Sequence, residues 1–183
     1  AGRPCGGAGG MTQLMWAARG GDDLASVPLD SSAVEARSRS GWTALHFAAG
    51  AGSAAGAERL LAAGAAANVA GDGGETALWV AARNGRAAVV ATLLEAGADA
   101  GVDCGAGRGT ALCVAAEWGR HGVVEALLAG NAGLASLTVR GGVGAGRAGA
   151  TPLVLASAEG HVEVVRTLLR AVEGGANEAS PLV

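Results

Sequence analysis

One seven-residue phrase recurs five times along this chain and limits what it can fold into. The phrase begins with threonine and ends in paired small residues, as in Thr76-Ala-Leu-Trp-Val-Ala-Ala. The five threonines are Thr12, Thr43, Thr76, Thr110 and Thr151, so successive copies are 31, 33, 34 and 41 residues apart. A period of about 33 residues indicates a repeat architecture, in which each unit is too small to bury its own apolar face and must stack on its neighbours.

Each copy is predicted to form two short helices joined by a glycine turn. The threonine suits an N-cap, whose hydroxyl accepts a hydrogen bond from an N–H of the first turn, and Pro152 falls where proline suits the first helical position. A glycine stands nine residues after each threonine and predicts the left-handed residue that ends the first helix. The second helix carries Val89-Val90 and Leu93-Leu94 on its buried face, and Gly97 ends it.

Small residues dominate the composition. Glycine supplies 33 and alanine 45 of the 183 residues, and lysine, isoleucine and tyrosine are absent. We attribute the missing residue types to a GC-rich genome. A core filled with large side chains cannot be built from these residues, so the helices must approach one another closely through alanine and glycine.

The charge pattern and the cysteines exclude several classes of protein. Sixteen acidic and 13 basic residues are interspersed and give a net charge of -3, whereas nucleic acids and anionic membranes require a basic face. No apolar run approaches the roughly 20 residues of a membrane span. Cys5, Cys104 and Cys113 are too few and too unevenly spaced for a disulfide framework. We therefore expect an intracellular protein, cytoplasmic or organellar, without direct membrane insertion.

The residues that could carry chemistry are better explained by structural roles. His46, His121 and His161 each fit a place in the repeat, and Cys104 and Cys113 are nine residues apart without a zinc-ligand spacing. Residues 144–149 match the glycine fingerprint of dinucleotide sites, but no strand enters them, and the absence of lysine excludes a P-loop. We expect no catalytic residue, no metal, no cofactor and no small-molecule substrate.

The best copy, residues 74–99, resembles the ankyrin repeat. It reads GETALWVAARNGRAAVVATLLEAGAD, close to the family pattern G-x-T-P-L-H-x-A-A-x-x-G-H-x-x-V-V-x-x-L-L-x-x-G-A-D. The resemblance covers about residues 8–178, although the family's histidine survives only as His46. It implies an all-α repeat solenoid, an ankyrin-repeat stack of helix-turn-helix units joined by β-turn or hairpin loops.

The resemblance also divides the chain. We expect an N-terminal tail at 1–8, an ankyrin-repeat domain at 9–178 and a C-terminal tail at 179–183. The five repeats fall at about 9–37, 38–72, 73–106, 107–140 and 147–175. The first repeat is degenerate, and a glycine-rich insertion at 140–149 is expected to protrude or move.

In ankyrin proteins the hairpin tips and the exposed ends of the first helices form a concave binding face. Carried onto this chain, the tip candidates are Arg39, Trp42, Asp72, Glu75 and Arg147. The helix-end candidates are Arg19, Arg83, Asn84, Glu117, Trp118 and Glu159. Tryptophan and arginine dominate binding hot spots, which favours Trp42, Trp118, Arg39 and Arg83, unless the two indoles fold back over adjacent repeats. Trp16 and Trp79 are interpreted as packing residues, as is Cys113.

The resemblance implies a non-catalytic protein–protein interaction module that acts as a scaffold or adaptor, with another protein or protein complex as partner and no nucleic acid. Two alternatives stay open: a structural or accessory subunit of a large complex, organellar or peripheral to a membrane, and the interaction region of a longer multidomain protein. The last copy carries Val162, Val164, Val165, Leu168 and Leu169 without a polar outer face. We expect either further chain or another subunit to cover that end.

Overall fold

Paired short helices make up the fold in the computed structural model, which describes residues 10–21, 24, 26–105, 108–129 and 149–178, with side chains up to residue 173. The chain divides into two compact units, Ala1–Ala98 and Asp99–Val183. The first unit contains α1 (Gln13–Arg19), α2 (Ser31–Glu35), α3 (Ala44–Ala51), α4 (Ala54–Ala62), α5 (Ala77–Arg83) and α6 (Ala87–Glu95). The second contains α7 (Ala111–Glu117), α8 (His121–Ala129), α9 (Pro152–Ala158) and α10 (Val162–Glu178).

The architecture is an all-α repeat solenoid, as predicted. No strand forms in the described part of the chain, where an isolated antiparallel bridge joins Ala70 and Thr76. The glycine-rich insertion at 140–149 lies, except for Gly149, outside the described residues. In the first unit α1 packs on α3, α3 on α5 and α4 on α6, and in the second α7 packs on α9 and α8 on α10.

The repeated threonine begins the first helix of every copy. The side chains of Thr12, Thr76 and Thr110 accept hydrogen bonds from the third helical N–H at 3.3, 3.2 and 3.4 Å, which confirms the predicted caps. Thr151 differs from the prediction, because its side chain makes no capping hydrogen bond within the described residues, although Pro152 occupies the first turn as expected.

Glycine ends the first helix of every copy. The five inter-helix glycines have φ between +63° and +91°: Gly21, Gly52, Gly85, Gly119 and Gly160. Residues with a Cβ enter this left-handed region at a cost of roughly 1–2 kcal/mol, so the predicted glycine turns are confirmed and have a backbone cause.

The first repeat departs from the others in its second helix. Asp30 caps the short α2 by accepting a hydrogen bond from the N–H of Ala33 at 2.6 Å, and this bond lowers the pKa of the carboxyl group. Leu24 is buried although its φ is +61°. The degenerate copy therefore buries a leucine outside its first helix without forming a full second helix.

Leucines form the centre of each hairpin. The second helices of the last four repeats each carry two consecutive leucines, and the first of the two is fully buried in each: Leu60, Leu93, Leu127 and Leu168. The prediction that both members are buried was wrong, because Leu94 is half-buried and Leu169 is 45% exposed. Neighbouring residues of a helix point about 100° apart, and in these pairs the first leucine faces the middle of the hairpin while the second lies at its edge.

Successive repeats are also tied by hydrogen bonds to the ends of the first helices. In the first unit the Arg86 side chain donates to the carbonyl of Gly50 at 3.3 Å. In the second unit His161 occupies the equivalent position, and its Nε2 lies 3.1 Å from the carbonyl oxygen of Glu117. Each of these side chains lies against the glycine that ends the preceding first helix, and a Cβ at Gly119 would sit 2.6 Å from Nδ1 of His161.

This contact predicts different costs for two glycine substitutions in one unit. Gly119→Ala and Gly160→Ala both place a side chain in the left-handed region, which costs roughly 1–2 kcal/mol. Gly160 has open space around its Cβ position, whereas the new methyl group at residue 119 collides with His161. We expect the larger loss of unfolding free energy for Gly119→Ala, measured by urea denaturation. Equal losses would show that the contact between Gly119 and the His161 imidazole does not stabilise the packing of the two repeats.

Candidate functional site

A groove of about 400 Å³ opens in the first unit, where the C-terminal half of α3 lies beside the end of α1. Its lining residues are Arg19, Trp42, His46, Phe47, Gly50 and Ala51. The repeat explains the depression, because Gly50 and Ala51 occupy the exposed helix end and leave space that longer side chains would fill. The aromatic residues come from the start of the same helix and from the residue before its cap.

Trp42 forms one wall of this groove. Its ring stacks on His46 at 5.7 Å between centroids and 22° between planes, and meets Phe47 at 5.5 Å and 60°. Gly71 makes room for the indole, since a Cβ there would lie 2.6 Å from Cδ1 of Trp42. The indole is therefore half-buried against its own repeat and the next one, and this contact fixes its orientation.

His46 has a structural role beneath the aromatic wall. Its Nδ1 accepts a hydrogen bond from the N–H of Thr43 at 3.2 Å, so the proton resides on Nε2, which donates to the carbonyl of Glu75 at 3.0 Å. Burial lowers the pKa of His46, and the hydrogen bond to Glu75 opposes this shift only in part. The imidazole is neutral and ties the first helix of one repeat to the hairpin tip of the next.

Two arginines at first-helix ends lie over tryptophan rings. The Arg19 guanidinium is 5.6 Å from the ring centre of Trp16, and that of Arg83 is 5.9 Å from Trp79. Such cation–π contacts contribute about 0.5–1 kcal/mol at exposed sites. The packing interpretation was wrong for Trp16, which is 47% exposed, whereas Trp79 is buried with an indole N–H that has no partner among the described residues.

The tip candidates of the first unit occupy separate places. Arg39 is exposed, and its stem lies 3.3 Å from a Cβ built at Gly10. Asp72 is exposed, and its N–H donates to the carbonyl of Ser40 at 3.0 Å, joining adjacent tips. Glu75 is half-buried, and its backbone carbonyl accepts the hydrogen bond from Nε2 of His46.

The remaining candidates lie at first-helix ends. Asn84 caps α5, where its amide donates to the carbonyl of Val80 at 2.8 Å. Glu117 was predicted at an exposed helix end but is buried in the second unit, with 8% of its surface accessible. Trp118, the next residue, is 46% exposed, and Glu159 is exposed at the end of α9. Arg147 lies outside the described residues.

The structure thus brings Arg19 and Trp42 together in the lining of one groove, and the other candidates are not among its lining residues. Phe47, which lines the same groove, was missed by the sequence reasoning. It is the only phenylalanine of the chain and falls where other copies carry Trp16, Val80, Val114 and Leu155. Its rarity was the one signal that could have identified it.

Cysteine chemistry and metal binding find no support in the described residues. Cys113 is buried, and burial raises the pKa of its thiol, which accepts a hydrogen bond from Thr110 at 3.5 Å. Within the described ranges, no three histidine, cysteine or acidic side chains come close enough to hold a metal ion. Nor does any helix in these ranges have the length and apolar character needed to cross a membrane.

His46 predicts a pH-dependent stability. Its folded pKa lies below the ordinary 6.5, so on acidification the unfolded chain binds a proton before the folded chain does. Unfolding free energy should therefore fall as the pH drops below about 6.5, by up to about 1.4 kcal/mol per pH unit, until the folded pKa is reached.

The control for this effect is His46→Gln, which cannot titrate but leaves every other ionisable group in place. We expect the difference in urea-unfolding free energy between the wild type and this variant to shrink from about pH 7.5 to about pH 5.5. An unchanged difference would mean that the imidazole is protonated equally in the folded and unfolded chains.

Comparisons with known proteins agree with this geometry. A family model described as ankyrin repeats (3 copies) matches residues 14–104, 55–140 and 100–179. No curated protein matches the chain. Ankyrin repeats are in general protein–protein interaction modules. With capped helical hairpins that stack in register within each unit, and with family matches over most of its length, the chain belongs to the ankyrin-repeat family.

Proposed function

We propose that this chain is a non-catalytic protein-interaction module, a scaffold or adaptor, that contacts its partner through the groove of the first unit. The observation that carries the proposal is the aromatic wall of Trp42 and Phe47 facing the guanidinium-bearing Arg19. Tryptophan and arginine dominate protein-binding hot spots, and a concave site surrounds an anchoring side chain with more apolar contact than a flat one.

The lining favours one kind of anchor. An apolar or aromatic side chain can pack against the wall that Trp42 and Phe47 form, beside the small residues Gly50 and Ala51, and a neighbouring carboxylate can pair with Arg19. The guanidinium is already held over Trp16, so less side-chain entropy is lost when it binds. A short acidic and apolar segment of another protein is therefore the partner chemistry that we propose.

A catalytic role for the groove is disfavoured by the state of its histidine. Both ring nitrogens of His46 are occupied, by Thr43 on one side and the Glu75 carbonyl on the other. Burial lowers the pKa of the imidazole and leaves it neutral, so the ring lies at the floor of the groove without a proton to donate to a bound molecule. The groove residues can bind and orient a partner.

Photo-crosslinking tests this proposal. A photoreactive amino acid at Ala51, which lines the groove, should capture a defined partner from native lysate, and the same probe at exposed Ala55 on α4 should not. Arg19→Glu should weaken the crosslink by about tenfold or more, because it replaces the pairing charge with a repelling one. Arg170→Glu makes an equal charge change at an exposed position of α10 and should leave the crosslink intact.

Two outcomes would contradict the proposal. One is the same set of crosslinked proteins from Ala51 and Ala55, and the other is a crosslink at Ala51 that is insensitive to Arg19→Glu. Recovery of the partner in a fixed ratio as part of one complex would favour the structural-subunit hypothesis over an adaptor with exchangeable partners.

A further inference from the structure

The outer side of the last hairpin carries four exposed apolar side chains. They are Val154 on α9 and Val162, Leu169 and Val172 on α10, with exposed fractions of 55%, 63%, 45% and 50%. Positions 162, 169 and 172 recur at the spacing of one helical stripe. We name these four residues the C-face.

The register of the repeat identifies what the C-face is built to contact. Val154 stands three residues after its threonine, and the equivalent residues His46 and Cys113 are buried under the hairpin that follows them. Val162 stands at the position of His121, which bonds to Thr167 of the next hairpin at 3.0 Å. The C-face is therefore equivalent in position to the surface with which α7 and α8 contact the next hairpin, α9 and α10.

The same register describes the hairpin that would cover it. The residue four positions after the threonine faces the preceding repeat, as Val80 does, with its Cγ1 3.4 Å from a Cβ built at Gly50. Val80 and Leu155 are buried at 3% and 1% exposure at this position. In the first repeat the position holds Trp16, which is 47% exposed.

We propose that the chain associates head to tail with a second copy of itself, Trp16 of one copy docking on the C-face of the other. The register places Trp16 over Val154 and Ala158, because Ala158 occupies the position at which Gly50 receives Val80. The large indole of Trp16 then packs against the smaller side chains of Val154 and Ala158, which gives complementary shapes. This surface adjoins the proposed partner groove, because the Arg19 guanidinium that lines the groove lies 5.6 Å from the centre of the Trp16 ring.

The two contacting faces differ, so the interface is heterologous and each copy keeps one face open after pairing. Such association adds copies one after another as the concentration rises, either as an open chain or until a ring closes. A symmetric dimer formed through the C-face alone would instead stop at two copies and would not involve Trp16.

The test uses one variant for each face. Light scattering over a wide concentration range should show a rising mass for the wild-type chain, whereas Trp16→Glu and Leu169→Glu should each remain monomeric, with association weakened by about tenfold or more. An equimolar mixture of the two variants should form dimers and nothing larger, because only one intact pair of faces is left between them.

Controls separate loss of association from loss of folding. Val154→Glu provides a second C-face variant on another helix, and Arg170→Glu places a negative charge at an exposed position of α10 on another side of the helix, where the wild-type mass should persist. Thermal unfolding should show all four variants folded at the assay temperature, since the altered apolar side chains have about half of their surface exposed and Arg170 is exposed. A monomeric wild-type chain at every concentration, a self-associating Trp16→Glu or a mixture that stays monomeric would each overturn the proposal.

Discussion

Contact between successive hairpins is the interaction on which this structure depends. A seven-residue helix paired with a nine-residue helix has too little surface to enclose its own leucines, so burial comes from the neighbouring repeat. Inside each unit, Leu78 and Leu112 are almost inaccessible to solvent for this reason. The same dependence makes the outer side of the last hairpin apolar and exposed, because it is shaped like the inner ones.

Small residues make this contact close enough to bring the backbones within reach of side chains. The carbonyl of Gly50 accepts a hydrogen bond from Arg86, and the carbonyl of Glu117 accepts one from His161 at the equivalent place in the second unit. The last carbonyl groups of a helix have no hydrogen-bond donor within the helix, and here the following repeat supplies one. Repeat packing and helix capping are thus parts of one interaction, and the terminating glycines are required by both.

The proposed groove also results from the small size of the side chains at the helix ends. Where Gly50 and Ala51 end α3, the surface falls away, and the large residues near the helix start become its walls. His46 holds this region rigid by bonding to Thr43 and to the next hairpin tip. Rigid aromatic rings lose little entropy when a partner binds, which suits a recognition surface better than a reactive one.

The sequence by itself determined the period, the capped helix starts, the glycine turns and the family, because caps and turns depend on a few neighbouring residues. Only the tertiary structure decided which tryptophans are accessible and that Arg19, Trp42 and Phe47 meet in one groove. Trp16 and Val80 both stand four residues after their threonines, yet Trp16 is exposed and Val80 is buried. That difference depends on what covers each helix, and the covering residues lie about a whole repeat away along the chain.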